Sequence, residues 1–250
     1  MKILGFTCDW AGFALDFAGM QRMEYSSSIS FINLRCSARF DIADGVEALA
    51  NGADGIFFAL CPLGDCHYES GNHHALSRIN HLADLMSFAG LKPERIGFYH
   101  ADTTLAFGLK SAIDKFEGKL KEFGDLSSDV SIKPELTVRV AAMRRTARSQ
   151  AVRWLLSKEL ELVRKGNVFD EKLDSSEYEK LVKDTLRAEY RKGLVLEALS
   201  EPRSAVEVSA LTGLEARRVF ELIVELERET RARFDRIEHE RPLYVEVANA

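Results

Sequence analysis

The chain is short of the features that mark unusual polymers. Sixteen glycines and five prolines in 250 residues, with no internal repeat, exclude a collagen-like or low-complexity chain. No apolar run approaches the roughly 18 residues that a membrane-crossing helix needs. The opening MKILGFTCDW lacks the charged start, apolar stretch and small-residue cleavage site of a signal peptide, so a cytoplasmic protein without a membrane role is expected. Four cysteines are too few for a disulfide scaffold, and in a reducing compartment they point first to metal or redox chemistry. A formal net charge of -5 gives no overall pull toward nucleic acid or anionic membrane, so such binding would have to rest on a local basic patch. Enzyme signatures are missing too. No GxGxxG follows a strand, and there is no Walker A loop, GxSxG elbow or HExxH helix. No catalytic residue stands out.

What is present is unevenly shared. Residues 1–126 hold all four cysteines, 13 of the 16 glycines, 12 of the 15 phenylalanines and five of the six histidines. They carry 11 basic against 16 acidic side chains, while the remaining 124 residues balance 23 against 23. The polar stretch SSDVSIKP, residues 127–134, with its helix-breaking proline, reads as a linker or an N-terminal helix boundary between a first domain, 1–126, and a second, 135–250.

The first domain alternates strand-like runs with helical periodicity. KILGFT (2–7), ISFINL (29–34), DGIFFAL (54–60) and RIGFYH (95–100) are candidate strands, and apolar residues recur at helical spacing over 11–22, 41–51, 74–89 and 103–123. Repeated βα units predict an α/β fold, a parallel sheet of four or more strands flanked by helices in the manner of flavodoxin and Rossmann folds. The second domain reads as mainly helical. One helical pattern covers 135–164, a second opens on a capping-box spacing at Ser176 and runs to Leu199, and a helix, turn, helix and hairpin follow in winged-helix order over about 190–248.

On this map Cys8, Cys36 and Cys61 fall one or two residues past the first three predicted strands. In a parallel sheet all strand C-termini share one edge, so three thiols separated by 28 and 25 residues converge. Cys66 lies in the loop CPLGDCHYESGNHH, where Gly64 and Gly71 permit the turns that return a fourth sulfur to that edge. Four thiolates suit tetrahedral zinc or an iron–sulfur cluster, and the spacing favours neither. The plainer alternative, four small core side chains, fits strand-end positions less well.

These residues carry a resemblance. FTCDWAG with Asp16 beyond it, RCSARFD (Arg35 to Asp41) and CPLGDCHYESGN (Cys61 to Asn72), in colinear order over residues 1–124, resemble the delta subunit of methyl-viologen-reducing hydrogenase, an iron–sulfur carrier associated with heterodisulfide reductase. The chain departs from the family pattern at Ala11, where a further cysteine is usual, at Ala38, and at Pro62-Leu63. The resemblance implies a [2Fe-2S] cluster on Cys8, Cys36, Cys61 and Cys66, with structural zinc as the alternative cofactor. It implies a non-catalytic electron-transfer subunit of a cytoplasmic oxidoreductase complex in anaerobic metabolism. The partners would be a heterodisulfide-reductase-like protein carrying flavin and iron–sulfur groups, and a dehydrogenase or hydrogenase module. Trp10, Arg39 and His67 are candidates for the surround of the cluster or for partner docking, with Tyr68 to Asn72 beside them.

The winged-helix order raises a rival of another class, an iron–sulfur redox-sensing transcription regulator. Its second helix, LEARRVFELIVELERET, would present Arg217 and Arg218 to the major groove, but the glutamates around them repel phosphates. The most basic stretch, Val138 to Arg153, reads as a solvated face or as a surface for an acidic protein partner.

Overall fold

The structure, a computed structural model, describes residues 1–101, 106–126, 134–166 and 168–247. The chain divides into two compact units, 1–130 and 131–250. Most of the expected linker, 127–133, lies outside the described residues, and Pro134 opens a helix, the boundary that the proline suggested.

The first unit runs β1 (Ile3–Cys8), α1 (Phe13–Met20), β2 (Ile29–Leu34), α2 (Ile42–Ala50), β3 (Gly55–Leu60), α3 (Gly71–Phe88), β4 (Ile96–His100) and α4 (Ala106–Phe123). All strand pairs are parallel, in the order β2-β1-β3-β4, with Ile3 level with Ile29 and Gly55. The sheet flanked by helices is as the sequence predicts. All six residues of β3 are buried, the pattern of a central strand covered on both faces, whereas β2 exposes Ser30, Ile32 and Asn33 as an edge strand does.

Phenylalanine builds both faces. Phe6, Phe40 and Phe58 meet with ring centroids 4.7 to 5.5 Å apart on the side of α2 and α3. Phe57 and Phe116 pack at 5.6 Å on the side of α4. The N-terminal end of the sheet is held by buried polar groups. Asp54 accepts from the amides of Lys2 and Leu126, each at 2.8 Å. Arg95 donates to the carbonyls of Asp54 at 2.8 Å and Gly124 at 2.9 Å. Buried charge persists only when satisfied in this way, and the lock ties β1, β3 and β4 to the end of α4. It leaves the opposite, C-terminal edge of the strands to the cysteines.

The second unit comprises α5 (Pro134–Arg148), α6 (Gln150–Ser157), a π-helical turn (Leu160–Lys165), α7 (Ser175–Ala198), α8 (Ala205–Thr212), α9 (Ala216–Arg228) and an antiparallel hairpin of β5 (Ala232–Glu238) and β6 (Arg241–Glu246). The single helix expected over 135–164 is broken at Ser149. That residue is extended, at φ -62° and ψ 143°, and its hydroxyl accepts from the Val152 amide at 3.3 Å, because serine caps a helix better than it continues one. The next cap is also displaced. Asp174 and Glu177, not Ser176, form the capping box of α7, since a carboxylate accepts the first amides more strongly than a hydroxyl.

Leu194 and its neighbours on α7 lead into a core of Val195, Leu199, Val208, Val219, Leu222, Ile223, Leu226 and Tyr244. Gly213, at φ +75°, turns the chain between α8 and α9, a conformation that costs glycine nothing. Arg145, expected on a solvated or docking face, instead ties α5 to α7 through Glu197 and to β6 through Glu246, the latter at 2.6 and 3.0 Å. No helix among the described residues is long and apolar enough to cross a membrane.

Candidate functional site

Strand order decides which cysteines become neighbours. β1 lies between β2 and β3, so the crossovers leaving β1 and β3 diverge, and in open α/β sheets ligands bind in the crevice beyond the strand ends at such a point. Cys8 is the last residue of β1 and Cys61 the first after β3. Their Sγ atoms are 3.4 Å apart and buried. Cys36 lies two residues beyond β2, where a one-turn helix over Ser37–Arg39 begins, and Cys66 lies in the loop between β3 and α3. Both their sulfurs converge on Gly71, the first residue of α3. A side-chain carbon there would overlap Cys36 Sγ and lie 3.3 Å from Cys66 Sγ. The structure thus gathers the four predicted sulfurs as two pairs.

The electrostatics follow from this crowding. The Cys61 thiol and then the Ala11, Trp10 and Ser37 amides donate to Cys8, lowering its pKa to about 6; the Ala11 amide lies 3.3 Å from the sulfur. Cys61, acting as that donor, is pushed far above the ordinary thiol range, with burial adding to the effect. Burial also raises Cys36, and the charges of Cys66 and Cys8 raise it further. Cys8, Cys36 and Cys61 therefore each sense neighbouring sulfurs. Amides aimed at Cys8 are the donors that stabilise a sulfur carrying negative charge.

Trp10 and His67 stack on one another beside the cysteines. Trp10 follows Cys8 by two residues and His67 adjoins Cys66; the rings stack with centroids 3.8 Å apart and planes inclined by 24°. His67 also meets Tyr68 edge-on at 5.0 Å. Arg39 is exposed, and its backbone amide donates to the Cys36 carbonyl at 2.9 Å.

Asn72 departs from expectation. Grouped by sequence with an accessible loop, it is fully buried, and its side chain donates to the Pro62 carbonyl at 2.6 Å, clamping the chain after Cys61. Gly71, expected to ease a loop turn, instead opens α3 and leaves the room that two sulfurs occupy. Two further residues support the site. Arg78 on α3 donates to the carbonyls of Ala38 and Phe40, holding the Cys36 turn. His100, ending β4, has its Nδ1 3.2 Å from the Cys61 carbonyl. Of the three, only Gly71 lies in the cysteine loop that the sequence marked.

Among the described residues no group of three or more His, Cys, Asp or Glu side chains has the arrangement for one metal ion. The donor chemistry nonetheless fits an iron–sulfur group. Four thiols meet at one strand edge, amides point at sulfur, and Gly71 lacks the Cβ that would overlap Cys36 Sγ.

Residues 3–124 match the family described as methyl-viologen-reducing hydrogenase, delta subunit. The chain is 33% identical over 124 residues to an iron–sulfur subunit of the F420-non-reducing hydrogenase of Archaeoglobus profundus, covering 49% of this chain and 90% of that one. It is 34% identical over 124 residues to the corresponding vhc iron–sulfur subunit of Methanococcus voltae, covering 49% and 86%. Identity of 33% over 129 residues links it to a subunit of the ferredoxin:CoB-CoM heterodisulfide reductase of Methanosarcina mazei, covering 51% of this chain but 16% of that protein. Each of these matches spans about half of this chain.

Proposed function

The chain belongs, through residues 3–124, to the methyl-viologen-reducing hydrogenase delta subunit family, and from that premise we propose that it is an electron-transfer subunit whose four cysteines hold a [2Fe-2S] cluster. The pairing of the sulfurs carries this reading. One tetrahedral zinc with bonds of about 2.3 Å asks four sulfurs to lie roughly 3.7 Å from one another. Two pairs suit two irons, with Cys8 and Cys61 on one and Cys36 and Cys66 on the other. Bound there, the cluster supplies one-electron chemistry.

The chain's own residues do the rest. Ala11 and its neighbours donate amides to Cys8, Asn72 and Arg78 hold the two ligand loops, and the Trp10–His67 stack screens the edge from water. Metal and sulfide analysis of anaerobically purified protein tests the reading. About two irons and two sulfides per chain are expected; one zinc without sulfide would establish a structural site instead.

The relatives' names place the same module in an iron–sulfur subunit of a hydrogenase and within a subunit of a heterodisulfide reductase. We take the partners of this chain to be a hydrogenase or dehydrogenase module and a heterodisulfide-reductase-like flavoprotein in a cytoplasmic complex. Their contact surface would centre on the exposed side chains beside the cysteines, Trp10, Phe13, Leu63 and Tyr68, each half exposed. Exposed aromatic groups of this kind are typical of interface centres.

The winged-helix-like end, within the second unit, serves in this reading as a protein-docking module. Arg217 and Arg218 are already held by Glu221 at 3.3 and 3.0 Å, and an exposed Phe220 stands on the same helix. Both features count against a DNA-reading helix and so against the transcription regulator.

A further inference from the structure

A cleft of about 1010 Å³ lies in the second unit, lined from the α5–α6 corner, α7 and the α9–β5 junction. The electron-carrier reading makes no use of it. We propose that this cleft binds a nucleotide-type ligand, a flat heteroaromatic ring joined to phosphate groups.

Three features of the lining combine. First, Arg144 and Arg148 from the last turns of α5, together with Arg231 after α9, bring guanidinium groups to its wall. Each guanidinium has five N–H donors in a planar fork matched to phosphate oxygens, so a contact with a protein neighbour does not exhaust it. Second, α6 begins in the cleft. Ser149 satisfies two amides of its first turn, Val152 through the hydroxyl at 3.3 Å and Arg153 through the carbonyl at 3.0 Å. Gln150 and Ala151, the first two helical residues, also line the cleft, and helix geometry offers their amides no carbonyl. Third, Trp154 stands one turn beyond Gln150 on the same face, lines the same cleft and is 57% exposed. An exposed indole beside a cationic wall is a stacking platform for a base.

The acidic side chains do not cancel this. Glu197 is held by Arg145, and Glu229 by Lys192 and by Arg231, the last at 3.3 Å. With Glu189 as the third acid against four arginines, the lining stays positive by one charge. An acidic peptide would satisfy the arginines but leave the indole uncovered, so the combination favours a ring with phosphates. The volume, at the upper end for small-molecule sites, accommodates a whole nucleotide.

The test uses the full chain. In a Trp10→Phe background Trp154 is the one remaining tryptophan, so its emission reports on this cleft. ATP, NAD⁺, tripolyphosphate and adenosine are titrated separately, and calorimetry on the unsubstituted chain gives affinities. ATP or NAD⁺ should bind saturably and quench Trp154, and which of them binds more tightly tells a mononucleotide from a dinucleotide. Tripolyphosphate and adenosine should each bind at least tenfold more weakly than the joined ligand. Arg148→Ala should weaken ATP binding at least tenfold with an unchanged far-ultraviolet dichroism spectrum. Arg231→Ala provides the same test should the first variant fold poorly. Absence of saturable binding at millimolar concentrations, unchanged affinity in folded arginine variants, or tighter binding of a polyglutamate peptide than of ATP would each overturn the proposal.

Discussion

Replacing Gly71 by alanine separates the site from the fold more sharply than replacing any cysteine. Gly71 opens α3 with an ordinary negative φ, so alanine suits the backbone and gains up to about 1 kcal/mol in helix propensity. The added carbon would lie well under 3.0 Å from Cys36 Sγ and 3.3 Å from Cys66 Sγ. Restoring an ordinary carbon–sulfur contact requires Cys36 Sγ to retreat by more than about 0.5 Å, whereas ligand bonds tolerate only about 0.2 Å. Overpacking a buried position costs about 1–3 kcal/mol, so the net loss of fold stability should not exceed roughly 3 kcal/mol. Gly71→Ala is therefore expected to keep its far-ultraviolet dichroism and to lose most of its iron and sulfide after anaerobic reconstitution. Gly118→Ala is the control. It stands exposed on α4 with nothing within 4 Å of the new carbon, and should hold a full cluster with about 0.5–1 kcal/mol of added stability. A Gly71→Ala protein with full iron, full sulfide and unchanged visible dichroism would refute the steric reasoning. So would a variant that loses its helices along with its cluster.

Four other outcomes are expected. Trp10→Ala removes the ring stacked on His67, so cluster content after anaerobic purification should be retained while bleaching in air quickens several-fold; an unchanged bleaching rate would show that the stack shields nothing. Ser204→Ala should cost about 1 kcal/mol in chemical denaturation, because Ser204 caps α8 in a box with Glu207. The Ser204 hydroxyl and amide hold the Glu207 carboxyl below its usual range, so this stabilisation is present at neutral pH and is lost as pH falls through the folded-state value; Glu207→Gln should flatten that acid-side decline in the denaturation midpoint. Deleting residues 131–250 should leave the visible spectrum of the cluster intact while weakening assembly with the redox partner, as size-exclusion chromatography of the mixture would show. Loss of cluster absorbance in that truncated chain would tie the site to both units.

Much of this protein was legible before folding. β-branched and aromatic runs marked the four strands to within a residue, because a strand covered on both faces must be apolar throughout, as β3 is. The cysteines were legible as strand-end residues for the same reason, since the end of an apolar run marks the end of a strand. Local competition was less legible. Ser149 ended a helix that periodicity would have continued, and Asp174 displaced Ser176 as a cap, because amide capping depends on small energy differences between adjacent residues.

Only the tertiary structure decided which sulfurs pair. Cys8 and Cys61 are separated by 53 residues, and they touch because β1 pairs with β3 as well as with β2. Cys36 and Cys66 meet because α3 starts on a residue without a side chain. Asn72 has the composition of a loop residue, yet it is buried because the Pro62 carbonyl it clamps arrives from ten residues upstream. Sequence patterns register a residue's own element and the neighbours within a helical turn or a strand alternation. Strand order, and with it the geometry of the site, follows from which long-range pairing buries both faces of the sheet at once, and that is a property of the whole unit.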